Sequence, residues 1–376
     1  MKKIVIAPDS FKESLTAMEV ATAIETGFKK VLPDCEYVKL PMADGGEGTV
    51  TSLIDATGGE LIHVEVTDPL GRKVQGFYGL LGDGKTAVIE MAAASGLHLV
   101  EPERRNPLIT TTYGTGELIK AALDKEVEHI IIGIGGSATN DGGVGMAQAL
   151  GVSFVDISGR ELGFGGGQLE HLEIIDMNNL DPRLNNVMIQ VACDVDNPLC
   201  GKHGASHVFG PQKGASESIV AQLDDNLAHY ADVINRHLHK NVRDRKGAGA
   251  AGGLGAALIA FLDAELKSGI DIVMDAVNLS SEVNNADLVI TGEGRIDSQT
   301  IYGKTPIGVA RTAKKFNIPV VGIAGCLSAD YGVVHLHGID AAFAVVNRFV
   351  ELPTAMKEAK VNIENTARNI AQMYKL

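Results

Sequence analysis

The sequence predicts an α/β protein of two domains. Three observations predict it. The chain has 376 residues, and a typical domain takes roughly 100–200. Short apolar, β-branched runs alternate with helix-length stretches near both ends of the chain, the pattern of a parallel sheet covered by helices. Between those ends the pattern changes to apolar–polar alternation around a hairpin signal, which announces antiparallel strands.

The elements follow in order. Residues 3–7 (Lys-Ile-Val-Ile-Ala) read as a buried strand stopped by Pro8-Asp9-Ser10. A helical pattern covers 14–30, with Ser14 or Thr16 as cap and Pro33 just beyond its end. Residues 36–40 predict a strand, a Gly-rich turn spans Asp44–Gly48, and a helix runs over 49–57. Residues 61–67 and 73–80 alternate around Asp68-Pro69-Leu70-Gly71, and 86–92 predict a third strand of this region. A helix is expected over 112–124, strands over 128–134 and 187–192, and helices over 215–238 and 249–264. The parallel pattern returns with strands at 287–291, 319–324 and 341–346 and helices at 305–316 and 354–374. The simplest arrangement is a Rossmann- or flavodoxin-like parallel sheet formed from both termini, residues 1–58 and 285–376. A second α/β domain with a mixed sheet, residues 59–284, is inserted in it.

Composition narrows the function. Asp and Glu number 47 against 33 Lys and Arg, a net charge of −14, which argues against a diffuse basic surface for nucleic acid. Four scattered cysteines form no C-x-x-C pair and no zinc spacing. No secretory leader and no apolar run of about 18 residues are seen, so a cytoplasmic protein without a membrane span is expected. A homo-oligomer is compatible with all of this. The 44 glycines point to tight turns and to backbone lying close to a ligand.

In parallel sheets, ligands gather beyond the carboxyl ends of strands. The segments there are Asp9–Lys12, Asp44–Gly48, Gly135–Gly143, Asp194–Asn197 and Gly292–Arg295. They combine carboxylates, small hydroxyls, glycines and isolated cations, a mixture suited to phosphoryl transfer with Mg²⁺. Each also has a plainer reading. Asp9, Asp44 and Asp194 could simply close turns, and Lys12 could be a solvated surface charge. Gly135-Gly136-Ser137-Ala138-Thr139-Asn140-Asp141-Gly142-Gly143 is the strongest single signal, because it places hydroxyls and free backbone N–H groups between a strand and a helix.

Two near-motifs fail their own tests. Ser298–Thr305 has the end of a P-loop but Ser298 in place of its first glycine, and it starts too far from its strand. It reads instead as a loop delivering Lys304 to a helix N-terminus. Gly247–Gly252 matches G-x-G-x-x-G but follows Arg243-Asp244-Arg245-Lys246 rather than a strand. Tight helix packing or a nucleotide-facing glycine run suits it better. Metalloprotease, serine-hydrolase and protein-kinase signatures are missing from the sequence.

Taken together, Ala7–Lys12, Met42–Gly48, Gly133–Gly143, Ala192–Leu199 and Thr291–Asp297 resemble the bacterial type-1 glycerate kinases, and the resemblance covers essentially the whole chain. It implies ATP, Mg²⁺ and D-glycerate, with 2-phosphoglycerate as product, and an active site in the cleft between the two α/β domains. Glycerate 3-kinase activity giving 3-phosphoglycerate, and a non-catalytic two-domain binding protein, are the alternatives. A nucleotide-dependent dehydrogenase lacks its fingerprint after the first strand. Position and residue type then suggest roles. Asp194 is expected as base or hydroxyl orienter, with Asp9 and Lys12 also catalytic. Asp44, Glu47, Glu293 and Asp297 are expected at Mg²⁺. Ser10, Gly45, Gly46, Gly135, Gly136, Ser137, Asn140, Asp141, Asn197 and Lys304 are expected at phosphate or substrate, and Arg295 at the glycerate carboxylate.

Overall fold

A computed structural model describes residues 2–46 and 48–375. Among them the chain forms strands β1 (Lys3–Pro8), β2 (Glu36–Lys39), β3 (Glu60–Thr67), β4 (Lys73–Leu80), β5 (Thr86–Glu90), β6 (His129–Gly133) and β7 (Ser153–Val155). These are followed by β8 (Ile174–Asp176), β9 (Met188–Ala192), β10 (Glu265–Lys267), β11 (Leu288–Ile296), β12 (Val320–Leu327) and β13 (Ala341–Ala344).

The residues separate into two compact units. One comprises Met1–Asp44, Thr51–Gly58 and Ile270–Leu376; the other comprises Gly45–Val50 and Gly59–Gly269. The return to the first unit thus comes at 270 and not at the expected 285. The reason is local: the helix Gly269–Ala276 packs its Ile270 beside Gly308, and Asp271 pairs with Arg311 at 2.6 Å.

The first unit holds a five-stranded sheet in the order β13-β12-β11-β1-β2, every pair parallel. Strands β1, β11 and β12 carry nearly continuous apolar runs, the pattern of a parallel sheet covered on both faces. The helix Ala17–Lys29 starts in a capping box, with Thr16 and Glu19 each bonding the other's backbone N–H. It lies against the C-terminal helix Ala359–Lys375, where Gly27 allows the backbone of Glu364 to approach. That contact is what joins the two chain ends into one core with Ile4, Ile6, Phe28 and Ile363.

The second unit holds a six-stranded mixed sheet, β10-β9-β6-β5-β4-β3. Strands β5, β6, β9 and β10 are parallel, and β3 and β4 are antiparallel. A separate two-stranded ribbon pairs β7 with β8. The fold class expected from the sequence is therefore the fold observed.

Two boundaries differ instructively. Strand β11 runs through Gly292–Arg295 rather than stopping before them, because Glu293, Arg295 and Ile296 still pair with Ala324, Cys326 and Leu327 of β12. The final helical stretch is broken into Leu352–Lys357 and Ala359–Lys375. Among the described residues, no helix is long and apolar enough to cross a membrane.

Candidate active site

In the first unit, β1 leads to β2 on one side, and the later strands stack on its other side from β11. The strand order therefore reverses between β1 and β11, the position where parallel sheets bind ligands. Asp9 follows β1, Glu293 lies in the carboxyl half of β11, and Asp44 follows β2. Asp9 accepts from the Ser10 N–H at 2.6 Å and from the Thr305 hydroxyl at 2.8 Å. Burial raises its pKa, the nearby charge of Asp44 raises it further, and those hydrogen bonds and Lys12 oppose the shift. Glu293 accepts from the Thr300 hydroxyl at 2.7 Å and from the Lys304 ammonium at 3.3 Å. Its pKa is raised chiefly by burial, with the Asp9 charge adding to the rise.

Lys304 stands immediately before the helix Thr305–Lys314, as expected, and this helix presents its N-terminus on the same edge. Lys12 is exposed. Arg295 is exposed and donates to Ser328 at 2.9 Å. Thr300 and Thr305, which hold the two acids, went unmarked in the sequence; both are fully buried hydroxyls in the segment that failed as a P-loop.

The expected Mg²⁺ set changes. Asp297 closes its own turn, accepting from Gln299 N–H at 2.8 Å, and its other oxygen lies 3.5 Å from Arg295. Glu47 lies outside the described residues. Among the described residues no three His, Cys, Asp or Glu side chains form a ready-made cage. Mg²⁺ usually takes only one or two carboxylates and completes its shell with phosphate oxygens and water. Asp9 and Asp44, two acids whose charges repel, fit that demand.

In the second unit the carboxyl ends of β5, β6, β9 and β10 share one edge. Gly45 is wedged there at φ +87°, where a Cβ would sit 2.7 Å from the Ala192 Cβ and 2.8 Å from the Gly269 Cα. Gly133 and Gly135 in turn leave room for Gly45 and Gly46. Asp194 is exposed and accepts from the Gly269 N–H at 3.1 Å. Asn197 donates to the His203 carbonyl at 2.7 Å, so its side-chain amide braces the loop. Asp196 pairs with Lys246 at 2.9 Å on the surface.

The Gly135–Gly143 segment divides in two. Gly135 and Gly136 are exposed, with Ser137 beside them. Asn140 and Asp141, expected at a ligand, are instead fully buried. Asp141 accepts from Thr112 N–H and hydroxyl, both at 2.8 Å, and from the Gly143 and Gly145 N–H groups. It thereby takes up the N-terminus of the short helix Val144–Ala149, leaving that end no vacancy for an anion. Asn140 donates to the Ser206 hydroxyl at 3.0 Å.

Packing also explains the glycine run at 247–253. Ala251, Gly252 and Gly253 adopt positive φ inside the stretch Ala250–Leu262. Gly252 lies against the Thr139 carbonyl and Gly253 against Gly142, so these glycines let two backbones touch.

Comparison with known proteins bears on the reaction. Residues 4–375 match the model of the glycerate kinase family. A protein named glycerate kinase from Haemophilus influenzae is 63% identical over 371 residues, covering 99% of this chain and 98% of that one. A protein named glycerate 2-kinase from Escherichia coli is 62% identical over 369 residues, covering 98% and 97%. A crystal structure from Salmonella typhimurium LT2, whose name makes it a candidate glycerate kinase 2, matches with TM-score 0.92 and 57% identity, covering 100% of this chain and 98% of that one.

Proposed function

We propose that this chain, which belongs to the glycerate kinase family, transfers the γ-phosphoryl of ATP to the 2-hydroxyl of D-glycerate. The observation that carries the reading is the strand reversal at β1 and β11, which gathers Asp9, Glu293, Lys304 and Thr305 on one sheet edge. That set supplies acids for a cation and a lysine for phosphate at a helix N-terminus, the requirements of phosphoryl transfer. The name of the Escherichia coli relative supports the 2-hydroxyl over the 3-hydroxyl.

The roles follow from exposure and bonding. Asp194 is solvent-facing and accepts from the Gly269 N–H, a placement that suits a group that must orient and deprotonate an acceptor hydroxyl. Asp9 and Asp44 would hold Mg²⁺, which supplies charge neutralisation for the phosphates when bound. Lys304, Lys12 and the exposed Gly135–Gly136 backbone would receive anionic oxygens, and Arg295 would pair with the glycerate carboxylate. Gly45 and Gly46 shape the loop beside Gly133 and Gly135. The four cysteines are unpaired, which suits the reducing cytoplasm we propose as its compartment.

The test is ADP release from ATP and Mg²⁺ in the presence of D-glycerate. Turnover dependent on D-glycerate supports the reading. No ADP with D-glycerate or any other small hydroxy acid would leave a binding protein as the better account.

A further inference from the structure

We propose that Lys213 is a positioning residue for the anion-receiving face at Gly135–Ser137: it turns the Ser137 hydroxyl into an obligate donor toward an anionic ligand oxygen. The proposal rests on the phosphoryl-transfer reading above and names a residue that lies on no strand end and in none of the motifs discussed so far.

Lys213 ends a single turn, Pro211–Lys213, between Gly210 and Gly214, and is only 2% exposed. Lysine is almost never fully buried without a partner, because its ammonium loses hydration. Here the ammonium donates to the Thr139 carbonyl at 2.6 Å and reaches the Ser137 Oγ at 3.4 Å. The Thr139 N–H also donates to that Oγ, at 3.1 Å. A serine hydroxyl has two acceptor sites and one proton. With both acceptor sites filled, Ser137 can only donate.

The acceptors inside the loop are poor competitors. The Thr139 carbonyl, at 3.4 Å, is already taken by the shorter bond from Lys213. The Thr139 Oγ1, at 3.0 Å, is a neutral hydroxyl that can equally donate. A phosphate or carboxylate oxygen arriving at the exposed Gly135–Gly136 backbone is the stronger acceptor, and the Lys213 side-chain nitrogen stands behind the donor. Asp141, fully buried in the same loop, supplies the countercharge and raises the lysine pKa that burial lowers. Two anions of the reaction offer the same oxygen chemistry, the ATP phosphates and the glycerate carboxylate, and the experiment separates them.

Full-length wild type, Lys213→Met, Ser137→Ala and the double variant are assayed for kcat, for KM of ATP and for KM of D-glycerate. Met keeps the volume and removes charge and donors. The expected result is a rise of about tenfold or more in one KM for Lys213→Met, in the same substrate as for Ser137→Ala, with kcat changed far less. The double variant should be no worse than Ser137→Ala alone, since Lys213 acts through that hydroxyl. A rise in KM for ATP assigns the anion as phosphate; a rise for D-glycerate assigns it as carboxylate. Unchanged KM values, losses that multiply in the double variant, or equal losses in kcat and both KM values overturn the proposal.

A second measurement needs no variant. The side-chain nitrogen resonance of Lys213 in lysine-labelled wild type should shift when the ligand of the affected arm is added, and no shift with either ligand overturns the role. Wild type serves as the control for the reaction itself. If it releases no ADP, the kinase reading fails; if it turns over normally while Lys213→Met matches it, only the role of Lys213 fails.

Discussion

Gly45 offers the sharpest test of how the second unit is built. Alanine there would place a Cβ 2.7 Å from the Ala192 Cβ and 2.8 Å from the Gly269 Cα, neither of which can swing away. The backbone also sits at φ +87°, which costs an L-residue about 1–2 kcal/mol. Crowding in a packed interior adds about 1–3 kcal/mol. The sum is about 2–5 kcal/mol, or roughly 10 °C in Tm for a unit of this size. Gly48 is the internal control: its φ is +89°, yet a Cβ there would meet nothing within 4 Å. Gly48→Ala should therefore lose only the strain, about 1–2 kcal/mol. Thermal unfolding of both variants, followed by circular dichroism, makes the comparison. Equal Tm values would refute the account, since the two positions share their backbone strain and differ only in packing.

Other predictions follow from single contacts. Asp194→Asn keeps an oxygen for the Gly269 N–H but removes the carboxylate, so kcat should fall by about 10²–10⁴-fold with Tm unchanged; wild-type turnover would remove Asp194 from the chemistry. Arg295→Ala should raise KM for D-glycerate with little change in KM for ATP, and the reverse pattern in steady-state kinetics would reassign the arginine. Burial lowers the Lys213 pKa to about 7, against about 10.4 in an unfolded chain. Below pH 7 the folded state carries the full cost of a buried charge, and between pH 7 and 10 the unfolded state binds more protons, so folding gains as pH rises. Lys213→Met lacks this dependence, so its Tm relative to wild type should fall across pH 7 to 10; a constant difference would contradict a lysine whose pKa burial has lowered.

Much of the fold was legible because periodicity reports burial directly. Lys3–Pro8, His129–Gly133 and Met188–Ala192 are apolar runs since both faces of their sheets are covered, and β3 and β4 alternate because one face of each is not. The run through β11 was not legible: glycines at 292 and 294 look like a turn, but at Gly292 the Ile323 carbonyl of β12 lies where a Cβ would sit. The candidate site was legible in position more than in role. Asp9, Glu293 and Lys304 stand on the expected sheet edge, whereas Asn140, Asp141 and Asp297 carry the same residue types and spend them on loops and a helix end. Nothing local distinguishes an Asp that faces a ligand from one that caps a helix. Lys213 was invisible for a related reason, since a lysine between glycines in a turn ordinarily points to water.

The central claim is that this chain phosphorylates the 2-hydroxyl of D-glycerate with ATP. Phosphorus NMR of the product from D-glycerate, ATP and Mg²⁺ tests activity and position in one spectrum. The account predicts a single new phosphomonoester whose phosphorus couples to the one proton on C2. A resonance coupled to the two protons on C3 would contradict it, as would an unchanged ATP spectrum.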